Sequence, residues 1–443
     1  MMHASYLAHL EILQARAESA LAVAGLDSLM LGSGSAQRRF MDDTAYPFRA
    51  HADFVQWLPQ LAAYSDSWLL IRPGKKPRLL LCLPEDFWHL PPQPPRGDWT
   101  YAFEIEIFAS AAMAGLALNR LGRVGLIAAQ NPVFAQPDWQ QNPPALLSAL
   151  HYERACKTDW ELECLRRASL RAVAGHEVAR QQFAAGASEY EIHQAYLAAT
   201  SHNEPELPYD NIVALNEHAA VLHYQLQQRD RPARHHSLLL DAGATHLGYG
   251  ADISRTHAAD PAGGFGQLIQ ALDIAQQALL QQVRPGASFV DLHLRMHELL
   301  AGVLQGAGLV NASVEAQIEQ GITRAFFPHG LGHLLGLQVH DVGGWQQGAA
   351  GMLQEPPPEH PFLRLTRTLQ PGFVITIEPG LYFIPSLLDK LRQGRAADAV
   401  NWQQVETLMP CGGIRIEDNV AITAQGHENM TRDAFAAAGR EGF

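Results

Sequence analysis

The chain has 443 residues, 47% of them hydrophobic, with a formal net charge of −13. This length and apolar content suffice for two or three domains with their own cores, and a charged fraction of only 17% excludes a disordered chain. The negative balance disfavours binding to nucleic acid or anionic membranes, because both partners are themselves negative.

The cysteines and the N-terminus bear on the cellular compartment. None of the four cysteines forms a Cys-x-x-Cys pair, which disfavours a disulfide scaffold or zinc ribbon and fits a reducing compartment. Charges such as Glu11, Arg16 and Glu18 interrupt the first 31 residues, which predict an amphipathic helix running into a strand rather than a signal peptide. No apolar run reaches transmembrane length. We therefore expect a cytoplasmic protein.

Residues 1 to about 150 alternate helical patterns with short apolar runs, which predicts a small α/β domain. The runs are DSLMLGSG, SWLLIRP, RLLLCLP and RVGLIA. A proline-rich passage at 137–144 precedes a change of character. We expect the domains to be 1–155 and 156–443.

The second domain begins with two predicted helices. The first is opened by Thr158 and Asp159 and ended by Gly186. Ser188 and Glu191 form a capping box for the second.

Strand and helix patterns then alternate to the end of the chain. HSLLLDAG and YGADISRT predict a hairpin. Two helices follow, FGQLIQALDIAQQALLQQV and SFVDLHLRMHELLAGVLQ, and LQPGFVITIEPG and GGIRIEDNVAI predict late strands. Blocks of strand, helix, helix and strand thus occur twice in an α+β pattern, which indicates an internal duplication with a pseudo-two-fold axis.

Three histidines lie close together in FFPHGLGHLLGLQVHDVGG, namely His329, His333 and His340. A metal site, an acid/base site and a chance cluster in a chain with 21 histidines are the three interpretations. Glycines disfavour a regular helix here, and Gly330 stands where the HExxH zinc motif has its glutamate.

Four acidic residues lie in apolar strand patterns, where an unpaired charge is costly: Asp241, Asp252, Glu378 and Glu417. For each one alone, a salt bridge or a solvated strand end is the simpler interpretation. Together with His333 they predict a site for two divalent cations, because four negative charges balance two such ions. Carboxylate-rich coordination with one imidazole suits manganese, cobalt or iron and accepts zinc. Two metals about 3.5–4 Å apart can share a nucleophilic hydroxide.

These motifs together resemble the pita-bread metallopeptidases, over essentially the whole chain. They are DAG with a second aspartate eleven residues after the first, HGLGH, TIEPG and RIED. The resemblance implies a pita-bread catalytic domain with five metal ligands, which are Asp241, Asp252, His333, Glu378 and Glu417. Asp252 and Glu417 would bridge two ions, expected to be Mn²⁺, with Co²⁺ or Zn²⁺ as alternatives. It also implies an N-terminal domain that caps the site and supports a homodimer.

Further segments are similar to the bacterial Xaa-Pro dipeptidase branch: DDTAYPF, PYDNIVALNEHAAVLHY, GGIRIEDNV and the long excursion between Glu378 and Glu417. This similarity implies metal-dependent hydrolysis of dipeptides with a C-terminal proline. Side hydrolysis of organophosphate triesters is a further expectation. The alternatives are an aminopeptidase P, which acts on longer Xaa-Pro peptides, and a non-catalytic pita-bread binding module, which characteristically lacks the ligand set.

The resemblance also implies roles around the metals. His223 and His340 would hold the substrate carbonyl and the developing oxyanion, and Glu378 would pass a proton to the leaving proline nitrogen. Arg415 would hold the substrate carboxylate. From the residues alone, His223 is a strand histidine and Arg415 a cross-strand partner of a ligand carboxylate.

Two further positions belong to the expected substrate site. His329 is expected beside the metals, where it either supports them or contacts substrate. Tyr209 is expected as a pocket wall, with core packing as the alternative, and the same applies to Tyr382.

Overall fold

The computed structural model describes residues 2–90, 93–118 and 120–439, which divide into two compact units. The first unit consists of Met1–Glu161 and Gln346–Leu353, and the second of Leu162–Trp345 and Gln354–Phe443. Among the described residues, no helix combines the length and apolar character needed to cross a membrane.

The first unit is an α/β domain, which confirms the fold class predicted for the N-terminal part. Its helices are α1 (Met2–Ala24), α2 (Ala52–Trp57), α3 (Ala111–Leu116) and α4 (Pro144–Arg154). Its strands are β1 (Ser28–Gly32), β2 (Trp68–Ile71), β3 (Arg78–Cys82), β4 (Glu104–Phe108), β5 (Val124–Ile127) and β6 (Gln140–Gln141). The described strands form one mixed sheet in the order β4-β3-β2-β1-β5-β6.

The four apolar runs of the sequence correspond to buried strands of this sheet. Every residue of β1, β2 and β5 is buried, as expected for strands covered on both faces. Strand β4 was missed because its sequence, EIEIF, places Glu104 and Glu106 among its apolar residues, a pattern that fits a half-exposed edge strand.

The second unit contains the remaining helices and strands. Its helices are α5 (Asp159–Ala184), α6 (Glu189–Thr200), α7 (Gly264–Leu280), α8 (Phe289–Gly306), α9 (Val314–Glu319), α10 (Ile322–Phe326), α11 (Pro385–Arg392), α12 (Trp402–Leu408) and α13 (Met430–Ala437). Its strands are β7 (Ile212–Leu215), β8 (Ser237–Asp241), β9 (Thr245–His246), β10 (Tyr249–Gly250), β11 (Ser254–Ala258), β12 (Val374–Ile377), β13 (Gly380–Tyr382), β14 (Gly413–Arg415), β15 (Asp418–Ile422) and β16 (His427–Asn429).

An order of two helices followed by an antiparallel sheet occurs twice in this unit. Helices α5 and α6 precede the sheet β11-β8-β7, and α7 and α8 precede the sheet β12-β15-β16. This recurrence agrees with the predicted α+β class and internal duplication. The predicted capping box is present, since Ser188 accepts from the Glu191 amide and the Glu191 carboxylate accepts from the Ser188 amide.

The two late strands were wrongly predicted to be continuous. Each is broken into two short strands, so that β12 pairs with β15 and β13 pairs with β14. One break falls at Glu378 and Pro379, where proline has no N–H to donate to a strand ladder. The other falls at Ile416 and Glu417.

Consecutive residues join the two sheets of the second unit. The Glu417 amide donates to the Ser254 carbonyl at 3.0 Å, and the Ser254 hydroxyl donates to the Glu417 carboxylate at 2.8 Å. Next to them, Arg255 donates to Asp418 at 2.7 Å, and both side chains are almost fully buried. Arg432 of α13 also donates to Asp418 at 2.7 Å.

Asp418 should therefore be a major determinant of stability. Replacing Asp418 by asparagine leaves the buried guanidinium of Arg255 without its charge partner, which costs about 3–5 kcal/mol. Urea unfolding followed by circular dichroism measures the difference. The control is Glu406→Gln, which breaks an exposed ion pair with Arg392 and should change stability by less than about 1 kcal/mol. Equal stability of the two variants would contradict the proposed importance of the buried pair.

Candidate active site

A hairpin carries the first two carboxylates. Asp241 ends β8 and pairs with Ser254. Asp252 was predicted to lie within the partner strand, but it lies two residues before β11. The tight turn at Leu247 and Gly248 has φ values of 52° and 86°, which suit a two-residue hairpin loop. Hydrogen bonds on either side of Asp252 continue the ladder, so its position is fixed by backbone pairing.

The histidine-rich segment runs alongside β12 without forming a helix, as its glycines predicted. The His333 amide donates to the Thr376 hydroxyl, and the Thr376 amide donates to the His333 carbonyl at 2.9 Å. Gly332 permits this approach, because a Cβ atom there would lie 2.0 Å from the Thr376 carbonyl oxygen.

The ring of His333 is oriented by its own backbone. Nδ1 bonds to the Leu334 carbonyl at 3.0 Å, which fixes the hydrogen on Nδ1 because a carbonyl can only accept. Nε2 then lies 3.4 Å from an oxygen of Asp252 and 3.6 Å from an oxygen of Glu378. Donor atoms of Asp252, His333 and Glu417 all lie within 4.8 Å of one another.

The charge of Asp252 helps to destabilise the charged forms of Asp241, Glu378 and Glu417. Burial, reinforced by the charge of Asp252, raises the pKa of Glu378 to about 7 and that of Glu417 well above its ordinary value. Burial also raises the pKa of Asp241, against the opposing effect of Arg415. A cluster of oxygen donors with excess negative charge and one oriented imidazole fits divalent metal ions, which would compensate these charges.

The cluster opens into a cavity of about 280 Å³. All five predicted metal ligands line this cavity, and so do His223, His329, His340 and Arg415. Tyr209 is not among the described residues that line it. Instead, the Tyr209 hydroxyl donates to Asp241 at 2.7 Å, so this tyrosine supports the Asp241 carboxylate rather than forming the pocket wall that was predicted.

The three histidines that line the cavity differ in exposure and in hydrogen bonding. His223 lies in an exposed turn, so its interpretation as a strand residue was wrong. His340 is also exposed, and its ring contacts the ring of His333 with centroids 4.5 Å apart. In His329 both nitrogens are engaged, with the Gly330 carbonyl and the Tyr382 hydroxyl. Burial lowers the pKa of His329 to about 3, so this ring is neutral.

Arg415 has the arrangement that was predicted from the residues alone. Its guanidinium donates to Asp241 at 2.7 Å, to the Ser254 hydroxyl at 3.0 Å and to the Tyr382 hydroxyl at 2.9 Å. The Gly330 carbonyl can only accept a hydrogen bond, and the Arg415 guanidinium can only donate. The hydrogen bonds therefore run in one direction, from Arg415 through the Tyr382 hydroxyl to His329. This chain connects Asp241 to His329, and both residues line the cavity.

The residues of the cavity wall that sequence reasoning did not assign to the site include Phe362 and Arg364. Both are exposed, whereas the neighbouring Leu363 and Leu365 are buried. This alternation was visible in the sequence as FLRL, but no motif marked it as functional. Arg364 has no hydrogen-bond or ion-pair partner among the described residues.

Two family models cover the chain almost completely. Residues 163–424 match metallopeptidase family M24, and residues 4–152 match the N-terminal domain of Xaa-Pro dipeptidase. The chain is 45% identical to the Xaa-Pro dipeptidase of Xanthomonas axonopodis pv. citri, over 98% of both chains. It is 46% identical to that of Shewanella loihica, over 97% of both.

Solved structures share the fold at lower identity. Aminopeptidase P from Escherichia coli with the inhibitor Pro-Leu has a TM-score of 0.74 at 23% identity, covering 95% of this chain and 94% of that one. Proline aminopeptidase P II from Yersinia pestis has a TM-score of 0.71 at 23% identity, covering 98% and 97%.

The crowding of carboxylates has a measurable consequence for Glu417. The raised pKa of Glu417 means that the folded state disfavours its charged form. Ionisation of Glu417 therefore lowers the free energy of unfolding above its ordinary pKa of 4.5, and this cost is absent below that pH. Metal-free Glu417→Gln should therefore melt about 2 °C or more above the metal-free parent at pH 7.5, and this difference should vanish near pH 4.

Metal addition provides the contrast. Mn²⁺ should raise the melting temperature of the parent and have a much smaller effect on Glu417→Gln, because one of the predicted ligands has been removed. Differential scanning calorimetry with chelator or with Mn²⁺ measures both effects. A lower melting temperature for the metal-free variant would contradict the repulsion described here.

Proposed function

Since this chain is a hydrolase that belongs to metallopeptidase family M24, we propose that it hydrolyses dipeptides with a C-terminal proline using two divalent metal ions. One observation carries the proposal: five side chains with the donor chemistry of a two-metal site line a single cavity. The similarity over the full chain to proteins named Xaa-Pro dipeptidase supports the choice of substrate.

The metal ligands in this proposal are Asp241, Asp252, His333, Glu378 and Glu417. Asp252 and Glu417 are assigned to both ions. When bound, the ions supply Lewis acidity toward the substrate carbonyl and an activated water. Mn²⁺ is the expected metal, with Co²⁺ and Zn²⁺ as alternatives, because the set is rich in carboxylates and has one imidazole.

In this proposal, the side chains of the cavity have separate roles in substrate binding, proton transfer and positioning. His223 and His340 are exposed in the cavity and would donate hydrogen bonds to the substrate carbonyl. Glu378 would carry a proton to the leaving nitrogen, which departs poorly as an anion. His329 and Arg415 are positioning residues, because their polar atoms are occupied by Tyr382, Asp241 and other protein groups.

Recognition of a dipeptide requires a cation for its terminal carboxylate. Arg415 was predicted for this role, but its guanidinium already binds Asp241. Arg364 lines the same cavity and is exposed, so we assign the substrate carboxylate to Arg364. This assignment would favour substrates that end at proline.

Three further expectations accompany the proposal. The N-terminal domain would support a homodimer, the protein would act in the cytoplasm, and phosphate triesters would be slow side substrates. Hydrolysis of a triester with a chromogenic leaving group, compared before and after metal removal, tests the last of these.

The function is tested by comparing Ala-Pro with Ala-Pro-Ala as substrates of metal-stripped protein, with and without added Mn²⁺. Cleavage of the dipeptide alone, and only with metal, is expected. Equal or faster cleavage of the tripeptide would indicate aminopeptidase P activity instead. Cleavage of neither peptide with any divalent metal would refute a peptidase function for the site.

Arg364 provides a sharper test of dipeptide recognition. Arg364→Ala should raise KM for Ala-Pro by about 10- to 100-fold, the equivalent of one charge-assisted hydrogen-bonded pair, with a smaller effect on kcat. Alanyl-prolinamide, which lacks the carboxylate, is the matched control: the parent should bind it weakly and the variant no more weakly. A variant that loses the same factor on both substrates would exclude direct carboxylate binding.

A further inference from the structure

A second group of histidines lies outside the five-donor cluster. His293 and His297 are four residues apart on α8, which places them on one face of the helix, and His360 comes from the segment after three consecutive prolines. The three ring centroids are 4.5, 4.7 and 4.8 Å apart. One nitrogen from each ring lies within 4.8 Å of the corresponding nitrogen of the others.

The buried nitrogens of this group lack hydrogen-bond partners among the described residues. His293 and His297 are 1% and 2% exposed. Neither nitrogen of His293 is paired, and Nε2 of His297 is unpaired. Leaving such polar atoms unpaired in a protein core is costly, and most buried polar groups in native proteins have a partner.

The second nitrogen of His297 is oriented as in a metal site. Its Nδ1 lies 3.0 Å from the hydroxyl of Thr323, which is itself buried. The Thr323 hydroxyl can accept a hydrogen from Nδ1, and in that tautomer the unpaired Nε2 carries a free lone pair. A hydrogen-bond acceptor behind a ligand histidine favours the tautomer that binds metal.

We propose that His293, His297 and His360 form a second metal site, which binds Zn²⁺ with water as the fourth ligand. Three imidazoles and one water are a ligand set that zinc accepts. Tetrahedral coordination at about 2.0–2.1 Å brings the nitrogens to about 3.4 Å from one another. His360 is only half-buried, so rotation of this side chain can bring the nitrogens to that separation.

The charges near the group are mixed. Arg324 lowers the pKa of His297 and of His360 and therefore opposes a cation, whereas Glu359 next to His360 favours one. Burial lowers the pKa of His293 to about 2 and that of His297 to about 3, so both rings are neutral at pH 7 with lone pairs available.

This site would restrain one wall of the cavity. His360 precedes Phe362 and Arg364, which line the cavity, by two and four residues. The Leu363 amide donates to the His360 carbonyl at 3.2 Å, so the histidine and the wall residues belong to one turn. Zinc would tie this turn to α8. The role is positional and independent of the five-donor cluster.

The experiment measures Zn²⁺ binding rather than activity. The full-length protein carries Asp252→Ala and His333→Ala, which remove donors of the first cluster, and is stripped with chelator before isothermal titration with Zn²⁺. We expect one Zn²⁺ per chain, and adding His360→Ala should weaken binding at least 100-fold. His235→Ala, which removes a histidine outside both clusters, should leave the affinity unchanged.

Two readouts keep the result interpretable. Circular dichroism checks that each variant is folded, and His360→Gln replaces His360→Ala if the latter is not. X-ray absorption of the zinc-loaded double variant should show three imidazole nitrogens. Absence of zinc binding in the double variant, or equal binding after loss of His360, would overturn the proposal without bearing on the peptidase function.

Discussion

The second unit depends on the junction between residues 254–255 and residues 417–418. Successive side chains of a strand point to opposite faces, so one backbone junction serves two purposes. On one face Ser254 holds the carboxylate of Glu417 at the cavity. On the other, Arg255 and Asp418 form a buried ion pair. The position of Glu417, a proposed metal ligand, is therefore set by the same contact that joins the two sheets.

The metal-free site is electrostatically unfavourable. Several buried carboxylates face one another, and the single guanidinium of Arg415 does not balance them. The protein tolerates this because Tyr209, Ser254 and Arg415 hold the carboxylates in place by hydrogen bonds. These hydrogen bonds orient the carboxylates without an ion, which would reduce the reorganisation that binding requires.

Features determined by neighbouring residues could be predicted from the sequence more reliably than features determined by contacts between distant segments. The helix cap at Ser188 and the apolar strands were predictable because neighbouring residues determine them. The donor set was identified from its motifs, by resemblance. The exposure of Arg364 in the cavity depends on how distant segments meet, and no spacing in the chain encodes that. His293 and His297 were visible as a pair, but His360 joins them only through the fold.

Gly332 shows how a position without a functional group can be as constrained as a ligand. Any side chain there would collide with the Thr376 carbonyl oxygen, because the two backbones are in direct contact. The backbone of the adjacent His333 would have to retreat, and its imidazole would leave the carboxylates. In a map of tolerated substitutions, this glycine would be indistinguishable from the catalytic centre, so intolerance to mutation alone does not identify the residues that perform chemistry.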